Sequence, residues 1–207
     1  TSGMAISPPQ TPITDSDRKA SFETLIAAFQ LGFGEDPRAQ KALEELLRLT
    51  TPDGGLVWPQ ATSPLPCRRV VGGCPYPTTK LLRLAACDGR ARRSAVARRG
   101  VELLLGLHDR GERRYGFGFG ERFCRLKYPF IWFDLLHVLE ALSHFPHARR
   151  DPRYQRLLDL ALEQADDQGR FTPGSVWLEW RGCCFAQKRG PSPWLTYCVH
   201  RIVARGS

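Results

Sequence analysis

The residues best suited to chemistry stand together in the second half of the chain. Asp134, His137, Ala141 and His144 follow one another at spacings of 3, 4 and 3, which places them on one strip of a helix, while Leu135, Val138, Leu139 and Leu142 take its other faces. A carboxylate in such apolar company has to be paired, hydrogen-bonded or protonated, and His137, one turn on, is the candidate partner. Three readings stay open. Asp134 and His137 could bond to each other and to nearby loops, tying their helix to the irregular stretch before it. They could instead be a catalytic pair lining a cavity, where a carboxyl of raised pKa acts as general acid or steadies a carbocation. The third reading is a metal site, with zinc the implied ion, in which Asp134 and His137 join Cys198, Cys74 or His200 at roughly 2.0–2.3 Å from the metal. Aromatic residues add a second kind of chemistry. Tyr76, Phe117, Tyr128, Trp132 and Trp194 fall at helix starts or in the loops before them. Their electron-rich faces suit an apolar or cationic ligand, and equally suit the anchoring of loops.

Other signals narrow the function classes. No Ser-His-Asp elbow, Rossmann fingerprint or Walker motif is present. The run YGFGFG at 115–120 lacks the preceding strand and following Lys-Ser/Thr of a phosphate loop, and reads as a flap. Seven cysteines, an odd number without a C-x-x-C pair, imply reduced thiols rather than a disulfide framework or zinc knuckle. No apolar run approaches the roughly 20 residues of a membrane span and no signal peptide opens the chain, so a soluble cytoplasmic protein is expected. The net charge is +9, and 13 basic against 5 acidic residues fall between Lys80 and Lys127. Arg90, Arg92, Arg93, Arg98 and Arg99 read as the solvated face of a helix. A nucleic-acid partner is not indicated, because no binding motif accompanies them.

The elements that must position these residues are helices. Residues 1–14 are expected to be a tag remnant (Thr1-Ser2-Gly3 before Met4) and a flexible lead-in rich in proline, and residues 15–207 one domain. Phe22, Leu25, Ile26 and Phe29 make one apolar stripe behind Asp15-Ser16-Asp17, and Asp36-Pro37 restarts a helix with Leu43, Leu46 and Leu47 on its buried side. The pattern then repeats. Pro77, Pro129 and Pro193 each begin an apolar helix, the first two of which are followed by a charged amphipathic one, and Asp53, Arg110 and Asp167 mark turns 57 residues apart. A period of this size means stacked supersecondary units. Each unit is a helical hairpin whose apolar member should lie inside and whose charged member should lie outside. Possible short strands are expected around Leu56–Trp58 and Val176–Trp180.

EQADDQGRF at 163–171 and TTPDGGLVW at 50–58, with KYPFIWFDLLHVLEAL at 127–142 and GPSPWLTYCVHRIV at 190–203, resemble the α/α-toroid superfamily. They are similar in particular to the prenyltransferase and squalene-oxidase repeat proteins related to terpene cyclases and protein prenyltransferase β-subunits. The likeness runs from about residue 20 to 204. It departs from the family in lacking the Asp-x-Asp-Asp acid of triterpene cyclases, and the Asp166-Asp167 pair falls in the repeat turn. The resemblance implies an all-α chain, a partial toroid of about seven helices in hairpin repeats, with long irregular connections. It also implies an apolar, isoprenoid-class ligand on the concave face, which makes Asp134 and His137 the catalytic candidates and the five aromatics the ligand-binding ones. A second subunit could complete the ring. The alternative is a non-enzymatic helical scaffold that binds a protein or a polyanion.

Overall fold

A computed structural model describes residues 15–56, 74–109, 123–131 and 133–206. Among them the chain is helical without a strand: α1 (Asp15–Gln30), α2 (Pro37–Arg48), α3 (Pro75–Ala86), α4 (Gly89–Arg92), α5 (Ala95–Asp109), α6 (Leu135–Ser143), α7 (Pro146–Arg149), α8 (Pro152–Leu162) and α9 (Pro193–Ala204). Seven are the expected long helices. α4 and α7 are single turns that carry the chain from one helix of a hairpin to the next.

The starts follow capping chemistry. Proline stands in the first turn of α2, α3, α7, α8 and α9, where a missing N–H is no loss. Asp36, Asp88, Asp151 and Ser192 accept backbone N–H groups of the turns they precede, satisfying donors that the helix leaves open. Two starts differ from the sequence expectation. α3 begins at Pro75, two residues before Pro77, since both prolines tolerate that turn. α6 begins at Leu135 and not at Pro129. Asp134 there has extended backbone (φ −145°, ψ 171°) and caps α6, so residues 129–131 and 133 stay outside the helix.

Packing orders these helices in two rows. α3 touches α1 on one side and α6 on the other, and α6 touches α9, giving a row α1–α3–α6–α9. α2 lies against α1 and α3, α5 against α3, and α8 against both α5 and α6. The middle members of the first row are buried on every side, including all of Leu135–Ser143 in α6. This burial fits the expectation of innermost apolar helices for α3 and α6, whereas α9 leaves Trp194, Tyr197 and His200 exposed. Each wholly buried Leu or Phe contributes roughly 1.5–3 kcal/mol, and α3 serves two such clusters. Leu82 joins the core around α5 and α6, while Leu81 and Leu84 join the one around α1 and α2.

Of the three expected repeat turns, the one at Arg110 lies outside the described residues, and the other two are built alike. Thr50 bridges Leu56, and Ala165 bridges Phe171. Gly54 (φ 86°) and Gly169 (φ 71°) take the left-handed position in the respective turns, a conformation that glycine alone adopts freely. The residue that closes each turn then hooks the next first-row helix. Leu56 N–H donates to Thr78 Oγ1 (2.9 Å) and its carbonyl accepts Cys74 N–H (3.2 Å). Phe171 N–H likewise donates to Thr196 Oγ1 (3.0 Å) and its carbonyl accepts Ser192 N–H (2.9 Å). The expected strands are absent from the described residues. Leu56 makes isolated bridges only, Val57 and Trp58 lie outside the description, and Leu178–Trp180 is a 3-10 turn.

Candidate functional site

Asp134 is wholly buried at the head of α6. Its Oδ1 accepts the His137 backbone N–H at 3.0 Å, and its Oδ2 faces Lys127 Nζ at 3.8 Å, with both side chains out of solvent. Burial pushes the carboxyl up to about 7, against the opposing pull of the Lys127 charge. Leu135 N–H donates to the Phe123 carbonyl at 2.9 Å. The head of α6 is thus fastened to the segment before it from both sides of the cap. The capping bond uses the His137 backbone. The imidazole itself stacks on Phe130, with centroids 5.5 Å apart and 20° between planes.

The cap position corrects the expectation that Pro129 begins this helix. Asp134 is the counterpart of Cys74 and Ser192, which head α3 and α9.

The proposed metal ligands are spread over separate elements. Cys74 heads α3, Asp134 and His137 begin α6, and Cys198 lies inside α9 with its thiol pushed up to about 11 by burial. His200 bonds the Gly169 carbonyl through Nε2 at 2.8 Å. Among the described residues no group of three or more His, Cys, Asp or Glu side chains could hold a metal ion, and each described cysteine is a free thiol.

Of the aromatic candidates, the fold brings Tyr128 and Trp194 together, edge to face at 5.6 Å. Tyr128 is the hub of the group. It meets Phe130 at 5.2 Å and Phe185 at 4.8 Å, while Trp194 continues to Tyr197 at 5.4 Å. Two guanidinium groups flank the array: Arg83 over the Phe130 ring at 5.0 Å and Arg201 over Tyr197 at 5.5 Å. Tyr76 is placed separately, buried at the start of α3 beneath Lys80 Nζ at 5.2 Å. Trp132 and Phe117 lie outside the described residues, as does the expected flap at 115–120.

One ionic centre escaped the sequence reading. Glu140 of α6 is buried and accepts bonds from Arg201 (2.9 Å) and Arg205 (2.9 Å) of α9. His144 Nε2 stands 3.5 Å from Oε1 of the same carboxylate. Burial opposes ionisation, but hydrogen bonds from His144 and Arg205 and the charges of Arg205 and Arg201 override it and hold Glu140 at about 2. The signal was an acidic residue inside the apolar run LLHVLEAL, the same kind of signal that singled out Asp134.

A cavity of about 10 Å³ lies among Leu104, Leu107, His108, Phe123, Phe133, Val138 and Leu157, which is room for about one water. Asp134 is not part of its lining. The arginines at 90, 92, 93, 98 and 99 are exposed, and Arg90 reaches Glu44 at 3.4 Å. Comparison of the chain with protein-family models, curated proteins and solved structures returns no match.

Proposed function

We propose that this chain is a prenyltransferase- or terpene cyclase-like repeat protein, a partial α/α toroid that takes an apolar, isoprenoid-class ligand at the ring array formed by the segment before α6 and the start of α9. The observation that carries the reading is the ring array Tyr128–Trp194–Tyr197. Its centre is half-buried, and its outer rings are exposed rather than consumed by the core. Rings arranged edge to face offer both faces and edges to a branched, unsaturated chain. The assigned role is binding, because Asp134 serves α6 as a cap and is sealed from solvent. The two-row packing and the paired repeat turns support the toroid-like layout without fixing its closure.

Tryptophan fluorescence during titration with farnesol, and with a straight-chain alcohol of equal carbon number, tests the reading. Saturable quenching by farnesol is expected. Trp194→Ala should weaken it at least about tenfold, as the loss of a buried aromatic contact does, with an unchanged melting temperature. Equal response to both alcohols, or unaltered binding by the variant, would overturn the assignment.

A further inference from the structure

The exposed large apolar side chains of the C-terminal region are bunched together. They are Leu178 (68% exposed), Trp180 (43%), Trp194 (40%) and Tyr197 (52%), and ring contacts join the last three. Trp180 meets Phe185 at 6.1 Å and Phe185 meets Tyr128 at 4.8 Å, so the patch joins the Tyr128–Trp194–Tyr197 array. The Leu178–Trp180 turn is closed by Arg181 N–H on the Leu178 carbonyl at 3.2 Å, and it packs on the neighbouring turn Cys184–Ala186. The same segment carries exposed Arg181, Lys188 and Arg189 together with exposed Glu179.

A fixed apolar patch of this kind marks an interaction surface. Its composition says which. Trp and Tyr carry a polar handle on an apolar body, which suits the boundary between headgroups and acyl chains, and a cationic rim suits anionic headgroups. A symmetric contact with a second copy would set the rim cations of one copy against those of the other, on a chain that already carries +9. No described helix is long and apolar enough to cross a membrane, so the contact is one of lying on a bilayer.

We propose that this patch docks the protein on an anionic lipid surface. Leu178, Trp180 and Tyr197 enter the interfacial zone, and Arg181, Lys188 and Arg189 face the headgroups. The proposal stands on exposure and charge and does not depend on the isoprenoid reading. Because Trp194 and Tyr197 belong to both, they are left intact in the test.

The full chain is sedimented with phosphatidylcholine vesicles, with or without phosphatidylserine, while tryptophan emission is followed. Binding to the phosphatidylserine vesicles with a blue-shifted emission is expected. L178A/W180A should weaken it at least about tenfold, through the lost apolar area. K188E/R189E should weaken it by about the same factor or more. Both variants alter exposed positions, and unchanged circular dichroism checks that they fold. Absence of binding to phosphatidylserine vesicles would overturn the proposal, and so would equal binding by all three proteins. A dimer in lipid-free solution that dissociates on W180A would also overturn it, assigning the patch to a second copy.

Discussion

Asp134 and Glu140 sit on the same helix, both buried, and their surroundings move them in opposite directions. Burial outweighs the charge of Lys127 at 3.8 Å and the backbone N–H groups of His137 and Leu136 beside Asp134, so its folded pKa lies near 7 against about 3.9 in an unfolded chain. A raised carboxyl contributes stability that is complete below the unfolded value and is lost as pH rises through the folded one. Between about pH 4 and 7 the wild type should therefore lose on the order of a few kcal/mol. Asp134→Asn keeps an N-cap acceptor and should flatten that slope, read by urea denaturation across the range. A slope that survives the substitution would place the titrating group elsewhere. Glu140 has the opposite sign. Held at about 2, it contributes stability present above about pH 4.5 and lost as pH falls towards 2. Glu140→Ala removes the partner of two guanidinium groups that are two-thirds or more buried. The expected cost is about 2–4 kcal/mol, reduced relative to a fully buried pair because both arginines touch solvent. Thermal denaturation at neutral pH measures it.

At the scale of the elements, the repeat turns carry the most information. Gly54 and Gly169 adopt the same left-handed conformation, but their neighbours differ. A Cβ on Gly54 would collide with the backbone of Arg99 and Gly100, whereas one on Gly169 meets His200 only at ordinary contact distance. Gly169→Ala should cost about 1 kcal/mol, the conformational term alone. Gly54→Ala should cost at least about 3 kcal/mol, because α5 must also shift. Equal costs in denaturant titration would mean that the close approach to α5 is not maintained in solution. These turns were legible in the sequence because Asp53 and Asp167, each followed within two residues by a glycine, recur after an amphipathic helix. The boundaries of α2, α8 and α9 were legible from Asp-Pro and Ser-Pro pairs. The head of α6 was not, since Pro129 offers the same start signal as Pro193. Only the extended backbone of Asp134 and its bond to His137 N–H show that it is the cap. The Lys127–Asp134 and Glu140–Arg205 pairs join residues that no local spacing relates. In Val176–Trp180 apolar residues favouring a strand form a turn instead, because no neighbouring strand exists among the described residues to pair with it.

For the molecule as a whole, the row α1–α3–α6–α9 is joined by charge as well as by packing. Glu23 of α1 meets Lys80 and Arg83 of α3, and Glu140 of α6 meets Arg201 and Arg205 of α9. Arg83 and Arg201 thereby stand beside the aromatic array with part of their charge already neutralised, which favours an apolar ligand there over a strongly anionic one. The alternating apolar and charged helices made the two-row layout readable from sequence. The aromatic array was readable only as a list of residues. Its assembly depends on Phe185 and Tyr197, neither of which was distinguished by spacing. The reading of the whole molecule therefore comes down to where an isoprenoid sits. A farnesyl probe bearing a benzophenone, crosslinked by light and mapped by peptide mass spectrometry, measures that directly. Labelling should concentrate on residues 127–131 and 193–201 and fall sharply in Trp194→Ala, whereas label spread over the exposed arginines of α4 and α5, or confined to helices away from α6 and α9, would contradict the account.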